Sequence, residues 1–516
     1  MDIKLQTSKL CCKEKIMDQT AEHVTEADVI VPDVLPDAAR IVDVFHCVTV
    51  REETAETDAV TLHCDIVHTI LYAPENGKGV RSIVCRGSFR HSFSARGVTA
   101  DTQLWSQAWM HKCDCHLLNT RKIGLQCTIM LRVRGYADRE WQLPCGLECE
   151  EGETETLCRP LDLYVTRGIG CRTFDVEDQL ELPAGKGSIA ELMDTRVELR
   201  HRESKVLRGK AVVKGEAQVA LLYLSNAELG EVQCMEYTIP FSQIIDLPAL
   251  QEGDSIQVGL ELRRQEAEVF ADESGQKRVV RLALEVRGTV IARGQWQGQV
   301  VEDAYSTRRQ LQLRWGEMPA QRLVEETETQ LTLKDVLHPP VSEGDNGCII
   351  RICGRAWAGS TVVEEGRLRL TGTAEIDALY RSGGEEGEYH AIRKALPISW
   401  ELPVEGEADR VECDPQVWVQ SISYNINMSG ELELRVVCGV RLRAVAREPR
   451  ALLCGAEGGD AWEKGNRPSA IIYYKKPEEE IWSIAKQYAV RLEELADVNG
   501  VEEAGALAHA KMLLIP

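Results

Sequence analysis

No run of about 18 apolar residues occurs in this 516-residue chain, so nothing in it has the length of a bilayer-spanning helix. Positive charge is also scarce. Sixty Lys and Arg face 82 Asp and Glu, a formal net charge of −22, and such a surface repels phosphate backbones and anionic lipid. Nucleic acid is therefore not an expected ligand. The opening residues, Met1-Asp-Ile-Lys-Leu-Gln-Thr-Ser-Lys9, lack the apolar core of a secretory signal, and the expected compartment is the cytosol. Catalytic signatures are missing too: no Gly-x-Ser-x-Gly elbow, no His-Glu-x-x-His, no phosphate-cradling Gly-x4-Gly-Lys-Ser/Thr and no dinucleotide glycine turn. Carboxylates are so numerous that a pair of them signals nothing. The expectation is a protein that is not an enzyme, with no catalytic residue and no cofactor.

Metal signatures are equally thin. Eighteen cysteines are present, twelve of them before Thr173, but a reducing cytosol disfavours a disulfide framework. Their spacings, such as Cys113-x-Cys115 and Cys145-x3-Cys149, never give a Cys-x2-Cys with a matching second pair. Buried free thiols acting as small hydrophobes are the expected role, ahead of a structural zinc and of oxidative cross-linking; no metal ligands are assigned and no metal is expected to be needed for folding. The eleven histidines are scattered, and His63 and His68 fall on a strand as satisfied or exposed imidazoles. The acidic run Cys149-Glu-Glu-Gly-Glu-Thr-Glu155 has no calcium-loop pattern and reads as a solvated linker.

What the chain does contain is repetition. Gly215-Glu-Ala-Gln-Val-Ala-Leu-Leu-Tyr223 has two relatives, Cys64-Asp-Ile-Val-His-Thr-Ile-Leu-Tyr72 and Gly372-Thr-Ala-Glu-Ile-Asp-Ala-Leu-Tyr380. Each is an aliphatic run ending Leu-Tyr that meets a polar, glycine-bearing turn, the pattern of a strand entering a hairpin. The tyrosines lie 151 and 157 residues apart, and Val133-Arg134, Val286-Arg287 and Val440-Arg441 follow them by 61, 63 and 60 residues. Two landmarks in register across three copies make a repeat of domain length. With 44% hydrophobic residues each copy can bury its own core, so separate beads on a string are expected. Ile41–Val50, Ser82–Phe93 and Gln126–Gly135 read as strands of the first bead, and helical periodicity is scarce. The fold class is mainly β: three tandem β-sandwich-like domains at 29–147, 161–308 and 311–449, after a polar tail at 1–28 and before a small βααβ domain at 469–516. The repeat tyrosines suit half-buried positions at the domain edge, with hydroxyls near water.

The strand-Leu-Tyr-turn unit, the Ala304-Tyr-Ser-Thr ending and the threefold arrangement resemble the SPOCS domain (DUF3794) of endospore-forming bacteria, over residues 29 to 445. The last 46 residues hold Ile471-Ile-Tyr-Tyr, Glu480–Tyr488, Arg491–Gly500 and Lys511–Pro516, with Ile481, Ile484, Ala485 and Tyr488 on one helical face. Trp482-Ser-Ile-Ala and the closing Leu-Leu-Ile-Pro resemble a LysM module. That family binds N-acetylglucosamine polymers through a loop written Gly-Asp-Thr-Leu-Trp. Here the positions read Glu478-Glu-Glu-Ile-Trp482, and the family's Pro-Gly before the last strand is His509-Ala510. Carboxylates in place of the glycine and the small hydroxyl point to a protein partner instead of a sugar.

The combined resemblance implies a scaffold that attaches the spore coat to the forespore from the mother-cell cytoplasm. Its implied partners are a SpoIVA-like coat morphogenetic ATPase and other coat proteins. The expected partner-binding residues are Lys476, Pro477, Glu478, Glu479, Glu480, Ile481, Trp482, Asn499 and Gly500. A peptidoglycan- or N-acetylglucosamine-binding anchor at the cortex is the alternative.

Overall fold

The computed structural model describes residues 3–75, 79–149, 154–226, 231–338, 347–383, 387–404, 410–426, 431–462 and 470–516. Strands take up 78% of it and helices 4%, so the expectation of a mainly β protein holds. Among the described residues no helix is long and apolar enough to cross a membrane.

The first unit runs β1 (Ile3–Ile30), β2 (Ala38–Glu56), β3 (Ala59–Pro74), β4 (Arg81–Ser94), β5 (Gln103–Asn119) and β6 (Lys122–Cys149). The second runs β7 (Thr154–Glu181), β8 (Glu191–Leu207), β9 (Lys210–Asn226), β10 (Glu231–Asp246), β11 (Ser255–Ala271) and β12 (Lys277–Ser306). The third has β13 (Arg309–Met318), β14 (Gln321–Leu337), β15 (Cys348–Glu364), β16 (Arg367–Arg381), β17 (Tyr389–Pro403), β18 (Val411–Ile426), β19 (Leu432–Arg447) and β20 (Arg450–Ala461). In each unit three consecutive strands pair antiparallel as β2-β3-β4, β8-β9-β10 and β15-β16-β17. The opposing rows are β1-β6-β5, β7-β12-β11 and β14-β19-β18. Apolar residues from both sheets share one core in each unit, for example Val44, Ile66 and Ile83 with Ile129 and Leu131 in the first.

Local chemistry fixes this wiring. The first hairpin of every triplet closes in two residues, Thr57-Asp58, Arg208-Gly209 and Glu365-Gly366, and Asp58, Gly209, Glu365 and Gly366 all take positive φ, as a tight hairpin matching strand twist requires. The Leu-Tyr strands β3, β9 and β16 are the centres of their sheets. Tyr72 pairs with Ile41, Tyr223 with Leu192 and Tyr380 with Ile349, and immediately beyond each partner the register slips by one residue. The three bulges thus fall at the same place, leaving Val42, Met193 and Ile350 unpaired. The turns that follow the tyrosines lie partly outside the described residues, as does the acidic stretch at 150–153.

The tyrosines themselves differ from the sequence expectation. They are buried, not half-exposed, at 0%, 0% and 3%. Tyr72 satisfies its hydroxyl by donating to the Pro36 carbonyl at 3.0 Å, and Tyr223 by donating to Gln233 Oε1 at 3.2 Å. A buried phenol needs such an acceptor, and water is not required to supply it.

The units are also not beads on a string. Val42 and Leu71 of the first pack with Met193 and Leu222 of the second and Leu379 and Tyr389 of the third in one shared apolar cluster. Polar contacts reinforce it: Arg393 meets Asp43 at 2.7 Å, Arg351 meets Asp194 at 2.8 Å, and the Tyr389 hydroxyl accepts the Val232 N–H at 3.0 Å. Of the Val-Arg landmarks, Arg134 reaches Asp414 of the third unit at 2.6 Å and Arg287 pairs with Glu53 of the first.

A second correction concerns the start of the chain. Residues 1–28 are not an unpatterned tail, because β1 pairs with β6 along its whole length, from Ile3 opposite Cys149 to Ile30 opposite Lys122. Its inner half borders the first sandwich, burying Met17 and Val29. Its outer half extends past the sandwich as a ribbon with β6. The β7–β12 and β13–β20 pairs extend likewise, and Leu10, Leu143, Leu161, Leu163, Met318 and Leu452 join the three ribbons in a stalk with its own apolar core. β1 reads as polar because it lies at one edge of its own unit's sheet row and most of its residues keep some exposure. Deleting residues 1–28 should lower the melting temperature of the protein sharply, and Met17→Ala alone should cost about 2–5 kcal/mol in chemical denaturation. A melt unchanged by the deletion would restore the tail.

Candidate functional site

The C-terminal module consists of β21 (Ile471–Tyr474), α1 (Ile481–Tyr488), α2 (Leu492–Val498), a 3-10 turn (Ala504–His509) and β22 (Met512–Ile515). β21 and β22 pair antiparallel, Ile471 opposite Ile515 and Tyr474 opposite Met512. Alternation sends Leu513 and Ile515 inward, where they meet Ile484, Ala485 and Leu495 from the helices. α1 ends at Ala489, whose left-handed φ of 51° turns the chain into α2.

This core is shared with the stalk. Tyr305 of β12 stacks edge-on to Trp482 with ring centroids 4.9 Å apart, and its hydroxyl donates to the Val490 carbonyl at 2.7 Å. Asp303 accepts from Trp482 Nε1 at 2.8 Å and from Lys486 Nζ at 2.6 Å. A bulge between Val301 and Asp303 sets the pairing of this segment with β7. Burial alone would raise the Asp303 carboxyl, but the hydrogen bonds from Lys486 and Trp482 outweigh it and hold the pKa below the ordinary range. Arg159 of β7 stands 3.8 Å from Glu480. The Ala304-Tyr-Ser-Thr segment, read from the sequence as the end of a repeat, is thus the seat of the module. No spacing rule could have shown that.

The expected partner-binding residues divide into two groups. Lys476, Pro477, Glu478, Glu480 and Gly500 are exposed. The others are occupied in the fold. Trp482 is buried against Tyr305, and Ile481 packs beside it in the module core. Glu479 accepts from the Lys476 N–H and the Tyr473 hydroxyl, both at 3.0 Å, closing the turn before α1. Asn499 donates to the Leu495 and Leu514 carbonyls and accepts the Leu514 N–H at 2.8 Å, tying α2 to β22. On the opposite face Ile472, Tyr474, Met512 and Leu514 are paired across the two strands and exposed, Tyr474 at 75% and Ile472 at 61%. Four large apolar side chains on one small sheet form a patch that the sequence reading did not single out, although the period-two alternation of Ile471-Ile-Tyr-Tyr carries it.

A second concave region lies where the three units meet, a cavity of about 620 Å³ lined by residues of all three. Glu261 of the second unit borders it, enclosed by protein yet keeping some surface on the cavity. It accepts from Trp105 Nε1 at 2.5 Å, while its other oxygen has no hydrogen-bond partner among the described residues. Burial pushes its pKa up to about 7 against the opposing pull of Trp105 and Arg263. His46 and Cys113 also line the cavity. His46 Nδ1 is 2.9 Å from His68 Nδ1, and burial, with the neighbouring imidazole adding to it, pushes His46 down to about 3, so both rings are neutral. Cys113 stands across from Cys127 on β6, and the neighbouring thiol pulls the Cys113 pKa down. From the sequence His68 reads as a satisfied or exposed imidazole and the cysteines as buried free thiols, and His46 carries no signal, since these residues are far apart in the chain.

Residues 188–269, from the approach to β8 through most of β11, match the family model described as SipL, SPOCS domain. Neither the curated proteins nor the solved structures give a match.

Two outcomes follow from this geometry. Asp303→Ala should raise amide exchange across residues 481–490 while the sandwich strands keep their protection; lowering the pH through the folded pKa of Asp303 should do the same, since a depressed carboxylate contributes stability only while ionised. Unaltered exchange in α1 would show that the seat does not hold the module. Glu261 has the opposite sign. With its folded pKa above the unfolded one, the stability it contributes is present below about pH 4.5 and is lost as the pH rises towards 7. Glu261→Gln should therefore gain stability relative to the parent at pH 8 over pH 5, at about 1.4 kcal/mol per pKa unit, measured by urea unfolding at both values. A pH-independent difference would refute it.

Proposed function

We propose that this chain is a non-enzymatic scaffold of spore-coat assembly, built of three SPOCS-type units and a LysM-type module. It works from the mother-cell cytoplasm at the forespore surface and holds a SpoIVA-like coat ATPase through the module. The match of residues 188–269 to the SipL SPOCS family supports a sporulation role. The resemblance of the last 46 residues to LysM supports the assignment of the module.

The observation that carries the reading is the apolar quartet Ile472, Tyr474, Met512 and Leu514, displayed on a module whose other side is already committed to the stalk. An exposed patch of this kind on a polar rim is the usual anatomy of a protein-binding face, where a central aromatic such as Tyr474 carries much of the affinity. Lys476, Glu478 and Glu480 are exposed polar residues of the same module. The exposed carboxylates of Glu478 and Glu480 offer only acceptors, which a basic or amide-rich protein surface satisfies better than a neutral glycan does.

The test uses the full chain against the purified coat ATPase. Tyr474→Asp with Met512→Asp should weaken binding by at least tenfold, about 1.4 kcal/mol, with the thermal melt unchanged. Glu478→Lys with Glu480→Lys should weaken it less and mainly through association rate. Trp482 and Glu479 are unsuitable probes because both hold the module together. A chain that binds chitin oligomers or sacculi tightly, and the ATPase not at all, would replace the scaffold with the cortex anchor.

A further inference from the structure

The core of the first sandwich is polar where its two companions are apolar. His46 on β2 stands directly across from His68 on β3, and His68 across from Cys85 on β4. In the facing sheet Cys113 on β5 stands across from Cys127 on β6. His46 lies five residues past Ile41, the partner of Tyr72, and the same count from Leu192 and Ile349 reaches Val197 and Gly354. Those pair with Val219 and Ile376. The counterparts of Cys113 and Cys127, placed from the Val-Arg landmarks, are Val269 with Val280 and Tyr424 with Leu434. A sandwich that fills these positions in the second unit with four valines has no packing reason for two imidazoles and two thiols. Each polar atom left unpaired there costs about 1–3 kcal/mol.

Hydrogen bonding does not use the cluster up. The two Nδ1 atoms at 2.9 Å share a single proton, which fixes opposite tautomers and leaves the thiol of Cys113 beside them. One nitrogen from each ring and the Cys113 sulfur form a triangle with no side above 4.8 Å. The donors come from both sheets, and His46 and Cys113 open on the central cavity.

We propose that His46, His68 and Cys113 bind one zinc ion, with the fourth coordination position facing the cavity. Two imidazoles and a thiolate are a borderline-soft donor set that suits tetrahedral Zn²⁺ at bond lengths of about 2.0–2.3 Å, whereas calcium and magnesium demand oxygen. Binding exchanges one proton: the Cys113 thiol loses it to solvent as the sulfur–zinc bond forms, and neither metal nor sulfur changes oxidation state. The ion would fasten β2 and β3 to β5 beside the junction of the three units, where neighbouring residues Asp43 and Phe45 already meet the third unit.

The full chain, stripped by chelator and dialysed, is titrated with Zn²⁺ and with Co²⁺ as the coloured probe. One equivalent should bind, and the cobalt form should show a thiolate charge-transfer band together with the strong visible bands of a tetrahedral site. Cys113→Ser should abolish the thiolate band, while Cys171→Ser, an exposed cysteine outside the cluster, should leave it intact. His46→Val with His68→Val copies the second unit, so it should fold without metal and bind zinc at least tenfold more weakly. The proposal fails if the parent takes up no stoichiometric metal, if the thiolate band survives Cys113→Ser, or if the double valine variant binds zinc as the parent does.

Discussion

Three β-bulges meeting at one point hold this molecule together. Each inserts an extra residue, Val42, Met193 or Ile350, beside the partner of a buried tyrosine, and each bulge turns that residue out of its own sheet into the shared cluster. A bulge strengthens local twist and re-aims a side chain. Here it lets one strand serve two cores at once, its own sandwich through Val44 and the common junction through Val42. The residue before each tyrosine does the same from the central strand, for Leu71, Leu222 and Leu379 all reach the junction while Tyr72 and Tyr223 stay within their units. The Leu-Tyr pair repeated in the sequence is therefore a two-sided device: the tyrosine anchors the unit and the leucine joins it to the others.

The stalk follows from that junction. Once three units are held around a common point, their first and last strands run side by side, and continuing them is the shortest way to give each ribbon an apolar face to cover. A lone two-stranded ribbon is marginal in water, whereas three that share Leu143, Leu161 and Leu452 shield one another. The ribbon of the second unit then ends in Asp303 and Tyr305, and the C-terminal module closes over them. The module's placement thus depends on contacts far from it in sequence. Its apolar outer sheet faces away from its own core because alternation leaves it no other choice.

Much of this was legible in advance, for reasons that can be named. The strand at Ile41–Val50 and the Leu-Tyr strands were readable because dense β-branched residues and fixed spacing carry the signal without help from the fold. The helices at Ile481–Tyr488 and Leu492–Val498 were readable from their apolar spacing. β1 was not, because a strand at the edge of its unit that buries few of its residues leaves almost no hydrophobic pattern in the sequence. The burial of Tyr72 was missed because its acceptor, the Pro36 carbonyl, sits in a loop that no pattern predicts. Glu479 and Trp482 were read as a binding lip because a resemblance transfers positions and not partners, and the partners here are Tyr473 in the module and Asp303 in the stalk. The His46, His68 and Cys113 cluster lay beyond spacing rules altogether, since its members stand on three strands of two sheets.

Equivalent positions with unequal residues make the assembly unique. Asp43, Asp194 and Arg351 each follow their bulge by one residue, so three identical units would crowd three like charges around the junction. Close like charges in a desolvated place oppose assembly, and a homotrimer of any one unit would meet that penalty. The third unit resolves it by supplying cations in both directions: Arg351 pairs with Asp194 of the second unit, and Arg393 with Asp43 of the first. Those pairs help to encode the order of the units, because exchanging the third unit with the first would leave Asp43 facing Asp194. Covalent linkage in one chain lets the positions diverge independently. The same freedom lets the first unit hold histidines and cysteines where the second holds valines, and lets the second place Asp303 and Tyr305 under the C-terminal module.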